Sequence, residues 1–264
     1  MQLFGKAAKM VQVLQLFPSG AIVVNISSLG EINFHSTKRI PSECIRIKLS
    51  DVANLTKGNC MPLLLYPIEA QHLSGEVAKM VQSVIKYTYE EAQVCLNTNY
   101  YGVQRVTETL LPLLQLSSSG ARIVNVSSLR SELKLQILRR IPSESIRNEL
   151  GDIENLTEEK LNGILKRFLM DFIVNTLEAN GWSIMLPAYS ISKAVLNAYT
   201  RILARKYPNM RINCVHPGYV NTDLNWHTGI ITTEEGAKGP IKCALIPDGG
   251  PTGCYFDQTQ VAEF

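Results

Sequence analysis

Alternation between helix-like and strand-like segments is the feature that most constrains how this chain folds. From residue 75 onward, apolar residues recur at helical spacing, then in short β-branched runs, and the exchange repeats. Such alternation predicts an α/β fold with a doubly wound parallel sheet. The helical patterns cover 75–116, 157–174, 187–207 and 232–245, and the strand patterns are "ARIVNVS", "RINCVH" and a final "GCYF". Before residue 75 the pattern is poorer, so we expect an incomplete or irregular N-terminal third.

A duplicated segment constrains the N-terminal third. Residues 14–29 and 114–129 are identical at most positions, and each contains a glycine, an apolar run, an asparagine and two serines, "GAIVVNISS" and "GARIVNVSS". Each run has the pattern of a buried parallel strand that ends in a loop. We interpret 1–74 as an irregular partial duplicate of the 114–158 region and 75–264 as the main domain. One alternative stays open: "AIVVNIS" occupies a central strand position of the sheet.

Charge and cysteine content exclude several classes of function. The chain has 26 basic and 23 acidic residues without a block of like charge, which does not favour a nucleic-acid partner. The N-terminal residues lack the pattern of a signal peptide and no apolar run is long enough to span a bilayer, so we expect a cytoplasmic protein without a membrane partner. The six cysteines form no close pair, so neither a disulfide framework nor a metal site is expected.

The segment "YSISK" carries the first candidate catalytic pair. Tyr189 and Lys193 are four residues apart in a predicted helix, so their side chains project from the same face. An ammonium beside a phenol favours the phenolate and is expected to lower the pKa of Tyr189, which suits general acid/base chemistry. The same spacing is common on solvated helix faces, so the pair alone is a weak signal.

Two further polar residues are placed where they can assist this pair. Ser128 follows a predicted strand and is a candidate to hydrogen-bond a substrate oxygen, although Ser127 or a simple loop serine explains the sequence equally well. Asn99 lies in the preceding helix, within "NTNYYG", where it either holds a water or a backbone carbonyl or is a surface residue.

With these residues in place, residues 88–264 resemble the short-chain dehydrogenase/reductase family, most closely its single-chain plant branch, which includes neomenthol dehydrogenase and salutaridine reductase. The resembling stretches occur in the family's order and include "CLNTNYYGVQRVTETLLPLL", "ARIVNVSS", "PAYSISKAVLNAYTRILARKYP" and "INCVHPGYVNTDLN". The resemblance implies a Rossmann-like fold and an NAD(P)-dependent oxidoreductase, with NADP(H) as the expected cofactor. Its substrate would be a small hydrophobic carbonyl compound or alcohol of the terpenoid kind.

The resemblance also implies a role for each catalytic position. Tyr189 would protonate the carbonyl oxygen, Lys193 would lower the pKa of Tyr189 and bind the nicotinamide ribose, Ser128 would orient the substrate, and Asn99 would anchor a relay water. In the loop "PGYVNTD", the backbone of Val220 and the hydroxyl of Thr222 would hold the carboxamide. The implied cofactor-binding residues are Tyr189, Lys193, Pro217, Gly218, Val220 and Thr222.

Two departures from the family pattern qualify these expectations. The glycine-rich loop that holds the pyrophosphate has no counterpart in the sequence, so the alternative is a catalytically impaired remnant that acts at most as a binding protein. Between Ser128 and Tyr189 lies a long insertion, residues 130–186. It resembles the insertion that covers the oligomer-forming helices in monomeric carbonyl reductases, so we expect a monomer.

Overall fold

The computed structural model describes residues 9–17, 20–28, 88–117, 120–131, 133, 141–184, 186–222, 227 and 229–264. Within these ranges six strands form one sheet whose spatial order follows the chain. The four middle strands are parallel, and each edge strand pairs antiparallel with its neighbour. The strands are β1 (Lys9–Phe17), β2 (Gly20–Ser28), β3 (Arg122–Val126), β4 (Arg211–His216), β5 (Tyr255–Asp257) and β6 (Gln260–Ala262).

The helices of the described residues largely follow the predicted pattern. They are α1 (Tyr89–Leu96), a π-helical segment (Asn97–Gly102), α2 (Val103–Leu114), a 3₁₀ turn (Leu129–Ser131), α3 (Glu144–Gly151), α4 (Glu158–Ile173), α5 (Pro187–Lys206) and α6 (Thr233–Ala244). Thr157 caps α4 as its sequence predicts, since its side chain accepts a hydrogen bond from the amide of Lys160. Residues 75–87 of the first predicted helix lie outside the described residues.

Two sequence predictions differ from the structure. No helix was predicted between residue 130 and Thr157, yet this stretch contains α3, which Ser143 caps by accepting a hydrogen bond from the amide of Ile146. The strand of "GCYF" was expected to be the last, but β5 turns back into β6, and Asp257 pairs with Gln260. Both elements are short, and the longer-range packing that stabilises them leaves little trace in sequence periodicity.

Helices cover both faces of the sheet, which confirms the doubly wound arrangement. Alternate strand residues point to opposite faces. Thus Ile123 belongs to the larger core beneath α1 to α5, whereas Val124 belongs to a smaller core that also contains Val215 and Cys243 of α6. Within the described part of the chain, no helix combines the length and apolar character needed to cross a membrane.

The duplicated strand lies directly beside the strand that it duplicates. β2 runs parallel to β3, and the register pairs Ile22 with Arg122 and Asn25 with Asn125. This arrangement is the central strand position that the sequence left open for "AIVVNIS". The carboxyl ends of the two copies therefore meet at the same edge of the sheet. Residues 29–87, which hold the rest of the N-terminal duplicate, lie outside the described residues.

The insertion packs onto the helices that carry the candidate site. Helices α3 and α4 both contact α5, and α4 also contacts α1. Leu161, Ile164 and Phe168 of α4 are fully buried in the larger core. Gln104 of α2 donates a hydrogen bond to Glu158 at the start of α4, at 2.7 Å. The 144–173 part of the insertion is therefore an integral part of the core.

Candidate active site

The first turns of α5 present Tyr189 and Lys193 towards the sheet. Pro187 occupies the first turn, where its fixed φ suits a helix start and its missing N–H is of no consequence. The side chain of Lys193 is 1% exposed, and its ammonium donates a hydrogen bond to the backbone oxygen of Val126 in β3, at 2.9 Å. The same ammonium lies 5.8 Å from the centre of the Tyr189 ring. The two residues are thus brought together at the end of β3, as predicted.

The electrostatics of the pair differ from the sequence expectation. Burial lowers the pKa of Lys193 to about 8, and the nearby Cys95 acts in the opposite direction. Burial also raises the pKa of Tyr189, while a hydrogen bond from Ser128 and the charge of Arg130 act to lower it. The expected decrease of the pKa of Tyr189 was therefore wrong for this structure. The physical reason is that burial disfavours the charged phenolate more than its neighbours stabilise it.

Ser127 and Ser128, in the loop after β3, have different hydrogen-bond partners. The amide of Arg130 donates to the hydroxyl of Ser128, at 3.2 Å, and that hydroxyl in turn hydrogen-bonds Tyr189. Ser127 points elsewhere: its amide donates to the oxygen of Val215 and its hydroxyl to the amide oxygen of Asn197, at 2.7 and 2.6 Å. Ser128 is therefore the serine at the candidate site, and Ser127 is part of its support.

Asn99 lies at the centre of the π-helical segment and is buried. Its side-chain amide donates to the hydroxyl of Ser192, at 3.0 Å, and to the sulfur of Cys95, at 3.5 Å. Ser192 donates in turn to the backbone oxygen of Tyr189, at 2.7 Å. The surface-residue alternative for Asn99 is therefore wrong, because the side chain joins the π segment to the first turn of α5. π-Helical segments often occur at functional sites.

The loop after β4 lies at the same edge of the sheet as Ser128. Gly218 has a φ of 91°, which disfavours a side chain, and a Cβ there would overlap the side chain of Ile231. Val220 forms a parallel bridge with Ile231 and packs closely against Gly236 in α6. Thr222 follows, partly exposed, at the end of a described range. These contacts fix the backbone of Val220 beside the carboxyl end of β4, where ligands bind in open α/β sheets.

Comparisons with known proteins agree with this geometry. The family model described as short chain dehydrogenase matches residues 172–230, which include Tyr189, Lys193 and the loop after β4. The solved structure of salutaridine reductase from Papaver somniferum is 41% identical, with a TM-score of 0.61, and the alignment covers 82% of this chain and 68% of that chain. The chain belongs to the short-chain dehydrogenase/reductase family. Its resemblance to this family in sequence is confirmed.

Two curated members of the family show the extent of the match. A short-chain dehydrogenase/reductase of Saponaria officinalis is 53% identical over 69% of this chain and 58% of its own length. The (+)-neomenthol dehydrogenase of Arabidopsis thaliana is 44% identical over 69% of this chain and 60% of its own length. The chain thus spans about three fifths of the curated relatives that it matches.

The described residues fit only part of a dinucleotide as bound in the short-chain dehydrogenase/reductase family. Lys193 and Tyr189 lie together at the carboxyl end of β3, and the bridge to Ile231 holds the backbone of Val220 beyond the carboxyl end of β4, at the same edge of the sheet. The pyrophosphate half has no comparable support among the described residues. Phe17 at the end of β1 pairs with Gly20 at the start of β2, so the chain passes from strand to antiparallel strand instead of entering a helix through a glycine-rich turn. The site therefore fits the nicotinamide end.

Three buried polar residues of the site were not identified from the sequence. Ser192, Asn197 and Arg130 are 0%, 3% and 5% exposed. Asn197 lies four residues after Lys193 and eight after Tyr189, so helical spacing could have placed it on the same face of α5. Ser192 and Arg130 carry no such signal, because their positions depend on how the π segment and the loop after β3 fold.

Proposed function

We propose that this chain is an oxidoreductase that uses NADP(H) to reduce a ketone, or to oxidise the corresponding alcohol, of a small hydrophobic molecule. The observation that carries the proposal is the convergence of Ser128, Tyr189 and Lys193 at the carboxyl end of β3. The relatives named for neomenthol and salutaridine support a small hydrophobic substrate. Family resemblance supports NADP(H) as the cofactor.

Each residue has a role that its contacts support. The hydroxyl of Ser128, which hydrogen-bonds Tyr189 and accepts from the amide of Arg130, turns its proton to a substrate oxygen when a substrate binds. Tyr189 transfers its phenolic proton to that oxygen as the carbonyl becomes an alcohol. Since the pKa of Lys193 is about 8, its protonated form exceeds the neutral form roughly ten to one at pH 7 and stabilises the phenolate left behind. A bound dinucleotide would supply the hydride.

Asn99 supports this chemistry through the first turn of α5. Its hydrogen bond to Ser192 fixes the turn that carries Tyr189. In the π-helical segment the backbone is not held in a regular α-helical pattern, which suits the role of holding a relay water that the resemblance implies for Asn99. Water held there would return a proton to Tyr189 through Lys193 after each turnover.

The proposed activity is tested by following the absorbance of NADPH with small cyclic ketones as substrates. The Tyr189→Phe variant keeps the ring and removes the proton donor, so we expect its rate to fall by about 100-fold or more. Tyr207→Phe, a change of the same kind at the far end of α5, serves as the matched control. Equal rates for wild type and Tyr189→Phe would contradict the assignment of Tyr189 as the acid.

A second candidate function is a catalytically impaired remnant that binds no dinucleotide. The pairing of β1 with β2, in place of a strand that leads into a phosphate-binding turn, favours this candidate. Charge-assisted hydrogen bonds to phosphate contribute roughly 1.5 to 3 kcal/mol each, so the loss of several would weaken binding greatly. Titration with NADPH, followed by nicotinamide fluorescence, separates the candidates. Micromolar binding would refute the remnant.

We also propose that the protein is a monomer. The support is that α3 and α4 of the insertion pack against α5, and α4 also packs against α1. The measurement is sedimentation equilibrium at several concentrations, and a stable dimer would refute the proposal.

A further inference from the structure

A buried polar network lies beneath the candidate site and joins α5 to the loop after β3. The amide of Asn197 donates to the hydroxyl of Ser131, at 2.8 Å, and its oxygen accepts from the hydroxyl of Ser127, at 2.6 Å. Ser131 donates in turn to the backbone oxygen of Ser128 through its hydroxyl and, at 3.0 Å, through its amide. Asn197, Ser127 and Ser131 are at most 4% exposed.

The direction of each hydrogen bond follows from the number of protons available. Each serine hydroxyl has a single proton to donate. Ser131 gives its proton to the carbonyl of Ser128 and accepts from the amide of Asn197, while Ser127 gives its proton to the oxygen of Asn197. The amide side chain of Asn197 both donates to one serine and accepts from the other. An apolar residue of the same size would remove both bonds to Asn197 and leave the two hydroxyls only their mutual contact, at 3.1 Å, and the bond from Ser131 to the oxygen of Ser128.

This network holds Ser128, which must be correctly oriented for the proposed chemistry. The carbonyl of Ser128 is held from below by Ser131, and its hydroxyl is held by the amide of Arg130. Asn197, Lys193 and Tyr189 lie four residues apart along one face of α5. The network therefore ties the loop with Ser128 to the same helix face that carries Tyr189 and Lys193.

We propose that Asn197 is a positioning residue for Ser128, which fixes the Ser128 hydroxyl relative to Tyr189. The expected effect on turnover rests on the proposed oxidoreductase function. The effect on the position of the Ser128 hydroxyl does not depend on turnover. Fully satisfied buried polar networks specify one arrangement of the groups that they connect. Without Asn197, the loop keeps its connection to β4 through the amide of Ser127 but loses the hydrogen bonds that join Ser127 and Ser131 to α5.

The first experiment needs neither cofactor nor activity. Protein is labelled with ¹³Cζ-tyrosine, and the resonance of Tyr189 is assigned from its loss in Tyr189→Phe. Ser128→Ala removes the hydrogen bond to Tyr189 and is expected to shift this resonance. Asn197→Leu is expected to shift the resonance in the same direction, and to add little in the Ser128→Ala background because both changes remove the same contact.

A matched control separates positioning from a general loss of stability. Asn213 is also a fully buried asparagine with two hydrogen bonds, since it donates to Pro251 and accepts from Cys254. Asn213→Leu is expected to lower stability without shifting the Tyr189 resonance. Ser131→Ala, a smaller change, breaks the same connection to Ser128, so it replaces Asn197→Leu if that variant does not fold.

The second experiment measures turnover in the full chain with NADPH and a cyclic ketone. Asn197→Leu is expected to lower kcat by about 10- to 100-fold with little change in KM, since displacements of about 1 Å can reduce rates on this scale. The proposal would be overturned if the Tyr189 resonance shifts in Ser128→Ala but does not shift in Asn197→Leu and Ser131→Ala. A wild-type chain without turnover would refute the proposed function, and the resonance experiment would still test Asn197.

Discussion

Replacing Lys193 with methionine tests whether the ammonium of this residue is buried as deeply as the structure shows. Methionine has a similar length and shape but carries no charge. Burial disfavours the charged form of Lys193, so its pKa falls from 10.5 to about 8 in the folded protein. Below about pH 8 the folded chain holds a buried charge, which lowers its stability. Between pH 8 and 10.5 the folded chain releases the proton, whereas the unfolded chain keeps it.

The size of the effect follows from proton linkage. The difference between 10.5 and about 8 corresponds to about 3 kcal/mol between the charged and neutral forms. Because the unfolded chain binds more protons in this range, the contribution of Lys193 to the free energy of unfolding rises with pH. Integrated from pH 7 to pH 9.5, the rise is about 2 kcal/mol. At 1% exposure, solvent screens the group little.

Urea denaturation of wild type and Lys193→Met at pH 7, 8, 9 and 9.5 measures the effect. The wild-type free energy of unfolding, minus that of the variant, is expected to increase by about 2 kcal/mol over this range. Taking the difference removes the titration of all other groups. Lys166→Met, on the exposed face of α4, controls for replacing a lysine with methionine as such. A wild-type minus variant difference that stays constant within about 0.5 kcal/mol would refute the reasoning.

Further predictions concern the packing of α6 and the start and middle of α4. Gly236→Ala is expected to lower the free energy of unfolding by about 1 to 3 kcal/mol, because a Cβ would overlap the side chain of Val220. Gly163→Ala in α4, where nothing lies near the added methyl group, is expected to raise it by about 0.5 to 1 kcal/mol. Urea denaturation checks both, and the reasoning fails if the two glycines respond alike. Thr157→Ala removes the cap of α4 and is expected to lower the melting temperature, at a cost of about 1 kcal/mol. An unchanged melting temperature in calorimetry would count against the cap.

The helices that carry the candidate site could be predicted because their signals are local. α5 has continuous apolar periodicity with Pro187 in its first turn, and α4 begins with Thr157 and two glutamates. Tyr189 and Lys193 then share a face by helical spacing alone. The identity of the family was evident for the same reason, since the matching stretches lie in these elements and in the loop with Val220.

Other features depend on contacts between distant residues and left no readable signal. The π-helical segment around Asn99 follows α1 without a break, and its hydrogen bond to Ser192 spans most of a hundred residues. The raised pKa of Tyr189 was missed because helical spacing does not show that the phenol is buried. Burial, which decides the sign of that shift, is a property of the packed structure.

The two copies of the duplicated strand show that a strand alone does not make a site. Each copy carries an asparagine, an apolar residue and two serines at the same edge of the sheet, and β2 and β3 lie side by side in register. The candidate site lies at the end of β3. There α5 places the ammonium of Lys193 against the oxygen of Val126, and the amide of Asn197 against the hydroxyls of Ser127 and Ser131. A strand sequence that fits the sheet is therefore sufficient for the fold. The candidate site also requires α5, the helix that places Lys193 and Asn197 at the carboxyl end of β3.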